Sequence, residues 1–246
     1  MEILKKKMAV VESLDSFYEP FMVRRYQVVE ARPGMLSPSN VHHHVLARSD
    51  YLCVGESHVD PSARAWLRQA LPGLVKTGVT AIGLEFFSME DHKDLLDAFA
   101  SDPSAKHPPK SVMGDFLANI GIVVKSRAVL KRVFQETIAL LCTAKAMGIK
   151  IIPLENSASL ATLSKLEDRA AVLDYVGYQH LQAEKTGKMA VLAGLVHVVG
   201  ELNRTPGFSR MFDTPSIFVQ TRLHGGSRVV QGQSVFGLPV DITIHA

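Results

Sequence analysis

Short apolar runs alternate with longer amphipathic segments along most of the chain. Tyr51–Val54 is an apolar run that predicts a buried strand, and Asp60-Pro61 then predicts the start of a helix. Apolar residues recur at helical spacing as far as Gly78, although we expect Pro72 to bend or break this helix. Val79–Leu84 is the next apolar run. A strand, a helix and a strand so close together form a βαβ unit, which implies that the two strands are parallel.

The alternation continues through the rest of the chain. Two short helices separated by a proline-containing loop are predicted over 88–120, and Ser126 is expected to cap a long helix that stops at Gly148. The remaining predicted elements are a strand at Ile149–Leu154, a helix at Leu166–Glu184, a strand at Met189–Ala193, and closing strands at Ser216–Gln220 and Val240–Ile244 around a glycine-rich loop at 225–237. This order predicts an α/β fold, a single domain with a mostly parallel sheet flanked by helices.

The predicted domain has a core and two flanking segments. Residues 50–220 form the core, residues 1–48 an N-terminal extension of helix and loop, and residues 221–246 a hairpin-like closing segment. A short helix is predicted within 13–26. We interpret His42-His43-His44 as a polar loop or the start of a helix, because three consecutive histidines rarely converge on one metal ion.

Composition excludes several classes of function. The formal net charge is only +3, with lysines and arginines scattered among acidic residues, so no nucleic-acid partner is predicted. Cys53 and Cys142 are interpreted as small buried hydrophobic residues. No run of 18 or more apolar residues exists, so no transmembrane segment is predicted. The N-terminal residues lack the apolar region of a secretory signal, which predicts a cytoplasmic protein and leaves export by another route open.

Titratable residues follow each of the four best predicted strands. The first strand runs into Gly55-Glu56-Ser57-His58, the second ends in Glu85, the third in Glu155, and the fourth runs into Gly194-Leu195-Val196-His197. Ligands of open parallel sheets bind beyond the carboxyl ends of the strands, so we predict a site at this edge. Each glycine is expected to allow a sharp turn and a close backbone approach.

Arg169 is a cation predicted to point inward. It shares a helix face with Leu166 and Leu173, and an inward guanidinium usually meets a carboxylate or an anionic ligand. Snorkelling at the helix edge is the alternative interpretation. Arg64 and Arg68 are instead expected on a solvated face of their helix.

Histidines and carboxylates at one sheet edge are suited to general acid–base chemistry, with Glu56 or His58 as general base on a water molecule. His197 and Glu85 would complete the site, either holding a divalent cation or orienting the water, and Arg169 would hold an oxyanion or a substrate carboxylate. The candidate metal ligands are His58, Glu85 and His197, and manganese, zinc and iron all suit them. The nucleophile elbow GxSxG, the phosphate-binding loop GxxxxGKS/T and the metalloprotease motif HExxH are absent.

The two GxxH segments, with Glu85 and Arg169 between them, resemble the superfamily of erythromycin esterases, Tiki and TraB proteins and ChaN-like haem-uptake proteins. The order of these residues over 50–220 is also similar in layout to a domain of dermonecrotic-type bacterial toxins. The resemblance implies a site lined by Glu56, His58, Glu85, Arg169 and His197. Apolar residues flank His197 where small or polar ones are expected in relatives, which predicts that this histidine is buried.

The resemblance implies three alternative functions. The first is hydrolysis of an ester or peptide-type bond in a small-molecule or peptide substrate, with or without a metal. The second is haem or iron binding, for which Tyr175 or Tyr178 would be a ligand. The third is an effector or toxin module that engages a host protein.

Overall fold

The computed structural model describes residues 14, 16–22, 36–156, 166–200, 205–221, 228–236 and 238–246, with the side chains of 166–169 outside this description. Within these residues, seven strands form one sheet in the order β3-β2-β4-β1-β5-β7-β6. Neighbouring strands are parallel except for the antiparallel pair β6 and β7. The strands are β1 Tyr51–Glu56, β2 Val79–Ser88, β3 Lys150–Glu155, β4 Lys188–Gly194, β5 Ser216–Gln220, β6 Arg228–Val235 and β7 Leu238–His245.

Helices flank both faces of the sheet. Those that the structure describes are α1 over 16–22, α2 Val41–Leu46, α3 Ser62–Lys76, α4 Met89–Ser101, α5 Lys110–Val123, α6 Arg127–Ala146, α7 Leu166–Ala183, α8 Leu195–Val199 and α9 Gly207–Met211. None of the helices in the described part of the chain is long and apolar enough to span a membrane. The predicted α/β class, with its mostly parallel sheet, is confirmed.

Strand β1 lies inside the sheet and contributes to two apolar layers. Leu52 and Val54 belong to the larger core, which includes residues of α3, α5 and α6. Tyr51 and Cys53 point the other way, into a core that includes residues of α7 and α9. Because every residue of β1 is buried, its sequence is a continuous apolar run rather than an alternating one.

Two predictions about element boundaries can be compared with the structure. Helix α3 does not break at Pro72 but continues to Lys76, close to its predicted end at Gly78, because Leu71 and Leu74 on either side of the proline are fully buried and offset the missing hydrogen bond. The glycine-rich loop predicted over 225–237 contains strand β6, a partly exposed edge strand with too weak an apolar pattern to be recognised.

The triple histidine lies in α2, so of the two interpretations the start of a helix is correct. His42 is 3% exposed, and neither ring nitrogen has a hydrogen-bond partner among the described residues. Its ring lies against Gly73 of α3, where an added Cβ would be 2.4 Å from Nε2. His42 is therefore a neutral packing residue that would carry an unpaired buried charge if protonated.

His42→Leu is expected to make the protein less sensitive to acid. Burial, and next the charge of His43, lower the pKa of His42 from 6.5 to about 4, so between these values the unfolded chain binds more protons. The stability that neutral His42 contributes is complete above pH 6.5 and is lost as the pH falls towards 4, by up to about 3 kcal/mol. Urea denaturation at pH 7.5 and 5 measures this loss. It should shrink in His42→Leu but not in the control His44→Leu, and an equal loss in all three proteins would contradict the assignment.

Candidate active site

The carboxyl ends of β1, β2 and β4 bring the predicted residues to one edge of the sheet. Glu56 pairs in register with Gly194 across β1 and β4, and Leu84 of β2 pairs with Leu192 of β4. Glu85 follows Leu84 directly, so its carboxylate lies beside both GxxH segments. The structure therefore brings together Glu56, His58, Glu85 and His197.

Glu56 is enclosed and contacts both His58 and Arg64. Its side chain is 1% exposed, and its Oε1 lies 3.2 Å from His58 Nδ1 and 2.5 Å from Arg64 Nη2. Burial raises the pKa of Glu56, but the charge of Arg64, followed by the hydrogen bond from His58, outweighs it and leaves the pKa below its usual value. Of the two residues predicted as general base, the ionised, enclosed Glu56 is the less suited.

Arg64 was predicted on a solvated face, and this was wrong. It is 2% exposed and donates to Thr137 Oγ1 at 2.9 Å as well as to Glu56. Arg68, one turn further along α3, does lie near the surface, where it pairs with Glu136 at 3.1 Å.

Glu85 stands between the two histidines. One carboxylate oxygen, Oε2, accepts the backbone N–H of Gly194 at 2.5 Å, which fixes the side chain. The other, Oε1, lies 3.8 Å from His58 Nε2 and 3.7 Å from His197 Nε2. These separations exceed a hydrogen bond and suit a bridging water or substrate atom.

His197 lies on the short helix α8, not in the turn that was predicted. Its side chain is 10% exposed, as its apolar neighbours predicted, and its Nδ1 lies 2.7 Å from Asp174 Oδ1 on α7. Asp174 is fully buried and also accepts a hydrogen bond of 2.9 Å from Thr205. Asp174 was missed from the sequence, where the available signal was an aspartate in the otherwise apolar stretch 170–174.

The pKa values of both imidazoles are raised. Burial lowers the pKa of His58, but the charge of Glu85 and the hydrogen bond to Glu56 together shift it upward. For His197 burial is again the largest effect, yet the charges of Glu85 and Asp174 overcome it and raise the pKa to about 9. Because the two histidines share Glu85, they titrate as a coupled pair. The more buried His197 is the better candidate for an acid.

The backbone turns sharply just after Glu85. Phe86 has a φ of +70°, a strained conformation for a residue with a side chain. Its N–H donates to Glu155 Oε1 at 2.9 Å, and its ring packs edge-on against His58 with centroids 4.7 Å apart. Glu155, the fourth strand-end residue, thus supports the turn that presents Glu85, and Phe86 forms a wall beside His58.

Both glycines of the GxxH segments are explained by close approach. A Cβ on Gly55 would lie 2.7 Å from Leu195 Cδ1, and one on Gly194 would lie 2.8 Å from His58 Nε2. Neither residue has a positive φ, so the predicted need for unusual dihedrals was wrong and the predicted close contact was right. Gly194 keeps open the space between His58 and Glu85.

The predicted roles of Arg169 and of a metal ion stay predictions. The helical position of Arg169 is described on α7, but its side chain lies outside the described residues. In the part of the chain that the structure describes, no three His, Cys, Asp or Glu side chains are grouped to hold a metal ion. Nδ1 of each histidine and Oε2 of Glu85 are already hydrogen-bonded, which leaves Nε2 of each histidine and Oε1 of Glu85 facing the shared space.

The tyrosines predicted as haem ligands lie in an aromatic cluster with α1. Tyr175 contacts Phe17 edge-on at 4.7 Å, and Tyr178 stacks on Phe212 at 5.2 Å. Tyr178 also lines a cavity of about 540 Å³ at the opposite edge of the sheet, where Lys185 is paired with Asp50 at 2.8 Å. The groups with candidate chemistry lie at the carboxyl edge, away from this cavity.

No protein-family model and no curated protein matches the chain. Solved structures do match: the type III effector HopBA1 aligns with a TM-score of 0.55 and 16% identity over 89% of this chain and 97% of HopBA1. RRSP, a MARTX toxin effector domain from Vibrio vulnificus, aligns at 0.53 and 20% identity over 84% of this chain and 38% of that one. The C-terminal region of Pasteurella multocida toxin aligns at 0.53 and 13% identity over 89% of this chain and 29% of that one.

These matches establish a shared fold. They confirm the predicted likeness in layout to bacterial toxin domains, and this chain spans well under half of the two toxin chains. A haem-binding ChaN of Campylobacter jejuni aligns at a TM-score of only 0.47, which supports no argument for haem. The likeness to erythromycin esterases, Tiki and TraB proteins stays a prediction.

The Pasteurella multocida toxin structure is described as having a thiol-protease-like catalytic triad. Both cysteines of the present chain are described, and neither fits such a role. Cys53 is fully buried in β1, and burial raises the pKa of its thiol. Cys142 on α6 directs its Sγ to the carbonyl of Lys106, and burial raises its pKa too. Neither thiol therefore has the lowered pKa of a catalytic thiolate.

Proposed function

We propose that this chain is a hydrolase of an ester or peptide-type bond. The observation that carries the proposal is the arrangement of two imidazoles around one carboxylate. His58 and His197 each present Nδ1 to a carboxylate, Glu56 or Asp174, and present Nε2 to the same oxygen of Glu85 at 3.8 and 3.7 Å. A base and an acid on either side of one reaction space are what hydrolysis of an acyl group requires.

In the proposed reaction, His58 Nε2 takes a proton from a water held between it and Glu85 Oε1. The resulting hydroxide attacks the carbonyl carbon, while Glu56 stabilises the imidazolium through Nδ1. His197, protonated on Nε2, donates that proton to the leaving oxygen or nitrogen. The bond breaks, water is divided between the products, and one proton has moved from His197 to the leaving group. Glu85, within reach of both Nε2 atoms, then provides the route that returns the proton from His58 to His197.

A panel of ester and peptide substrates tests the proposal on wild type, His58→Ala and the control His107→Ala, which removes an exposed histidine. We expect a loss of at least about 10²-fold in His58→Ala and none in the control. The assays are run with and without added manganese or zinc. The proposal would be overturned if neither wild type nor the control were more active than His58→Ala under any metal condition.

The dependence of activity on pH is a second test of the proposed mechanism. Activity should rise as the raised pKa of His58 is passed and the base loses its proton, and fall above the pKa of about 9 at which His197 loses its own. In His197→Gln, the fall in activity at high pH should be absent. A flat profile in wild type would contradict a two-histidine mechanism.

A host protein is the second candidate for what the site recognises. The fold is shared with HopBA1 and with a MARTX effector domain, both described as effectors, and the chain matches nearly the whole of HopBA1. A protein substrate would unite this likeness with hydrolysis. A purely binding effector would instead form a stable complex that tolerates His58→Ala.

A further inference from the structure

We propose that Asp174, held by Thr205, is the positioning residue of His197: it keeps a proton on Nδ1 and so leaves Nε2 as the atom that exchanges protons with Glu85. This role rests on the proposed hydrolase and adds to it a residue outside the four strand-end groups. It divides the labour between the two histidines, making His197 the acid and His58 the base.

The geometry around Asp174 is complete and buried. Oδ1 lies 2.7 Å from His197 Nδ1, and Oδ2 accepts the Thr205 hydroxyl at 2.9 Å, with Asp174 0% and Thr205 3% exposed. A carboxylate accepts hydrogen bonds and donates none, so His197 must present Nδ1–H to it. The alternative tautomer would place two acceptors 2.7 Å apart in a desolvated site.

The support behind Asp174 comes from the backbone. Thr205 reaches Asp174 because Gly200 and Gly207 pack backbone against backbone, both with positive φ, and an added Cβ on Gly200 would lie 2.2 Å from the Gly207 nitrogen. No residue with a side chain fits this contact. The hydroxyl of Thr205 also lies 3.3 Å from the carbonyl oxygen of Gly200, so this contact links Thr205 to the residue that directly follows α8.

The two imidazoles differ in how they are held. His58 Nδ1 lies 3.2 Å from Glu56, which belongs to the same GxxH segment, and the His58 side chain is 23% exposed. His58 is therefore the imidazole that is open to solvent and to a water nucleophile. His197 Nδ1 lies closer to its carboxylate, 2.7 Å from Asp174 on another helix, and the His197 side chain is 10% exposed. Burial raises the pKa of Asp174, and the charge and hydrogen bond of His197 oppose that rise. A tightly held, enclosed imidazolium suits proton donation, and a more accessible, neutral imidazole suits the removal of a proton from water.

Nitrogen-15 NMR of His197 in the wild type tests the assignment without any substrate. We expect Nδ1 to stay protonated at every pH, with only Nε2 titrating, and a neutral form protonated on Nε2 would overturn the proposal. This measurement needs no variant to fold and no activity to be found. It therefore fails or succeeds independently of the hydrolase proposal.

Three variants extend the test. Asp174→Asn should lower the His197 pKa, because it removes one of the charges that raise it, and, once a substrate is known, should reduce kcat more than it changes KM. Thr205→Val should give a smaller shift in the same direction, and Thr205→Ser, which keeps the hydroxyl, should restore wild-type values. An unchanged His197 titration in a folded Asp174→Asn or Thr205→Val protein would show that the contact is structural only.

Discussion

Arg64→Met is expected to lower the free energy of unfolding by about 3–5 kcal/mol, the usual loss when one partner of a buried ion pair is removed. Glu56 is 2% exposed, and its Oε2 already has no hydrogen-bond partner among the described residues. Without Arg64 its remaining described contact is His58, so its charge would be left largely uncompensated. Urea denaturation of wild type and variant at pH 7 measures the difference.

The sign of the pH dependence is a further check on the same pair. Because the folded-state pKa of Glu56 is lowered, its stabilising contribution is present above the unfolded value of 4.5 and is lost as the pH falls through the folded value. The wild type and Arg64→Met should therefore converge in stability in acid. Arg68→Met is the matched control on the same helix, and its half-exposed pair with Glu136 should contribute no more than about 1 kcal/mol.

The double variant Arg64→Met/Glu56→Gln sharpens the interpretation. Removing the charge along with its partner should recover part of the loss, giving a coupling energy that the single variants do not predict by addition. A loss under about 1 kcal/mol in Arg64→Met alone would contradict the buried pair.

Gly194→Ala is expected to abolish catalysis while leaving the fold intact. Its φ of −52° and ψ of 144° suit alanine, but the added methyl would lie 2.8 Å from His58 Nε2 and 3.3 Å from Glu85 Oε2. That methyl fills the space in which the water would be held. We expect activity to fall about 10²–10⁴-fold, to the level of a variant lacking the base.

Thermal denaturation and steady-state kinetics on the same preparation separate the two effects in Gly194→Ala. Gly121→Ala on α5 is the control, because a Cβ there has no neighbour within 4 Å. Near-wild-type kinetics in a folded Gly194→Ala protein would show that the space beside His58 is not where the reaction occurs.

The strand ends were the predictable part of this protein. Apolar runs marked the buried parallel strands, and the rule that ligands bind at their carboxyl ends correctly grouped Glu56, His58, Glu85 and His197. Residue type and strand position suffice for this, because all parallel strands end at the same edge. The contacts of helical residues were harder to predict, because the sequence does not give the rotation of a helix against the sheet.

Arg64 and Asp174 show where that limit lies. Arg64 precedes Leu67 by three residues and Leu71 by seven, a spacing that places it on the apolar face of α3, so its burial had a signal that was given too little weight. To predict Asp174 one must know which face of α7 packs against α8. To predict Thr205 one must know that Gly200 and Gly207 come together. These contacts depend on tertiary packing, which no local pattern encodes.

The adjacency of β1 and β4 has a consequence for how the protein matures. The strands that carry the two histidines pair directly, although five of the nine described helices and two of the seven described strands lie between them in sequence. We expect pairing across so long a sequence separation to be a late event in folding. Because β4 lies between β2 and β1 in the sheet, a nascent or partly proteolysed chain without β4 would lack the acid and also the strand that brings His58 beside Glu85. Any activity of this protein should therefore appear only with the last stage of refolding, in step with burial of β4 and not with helix formation.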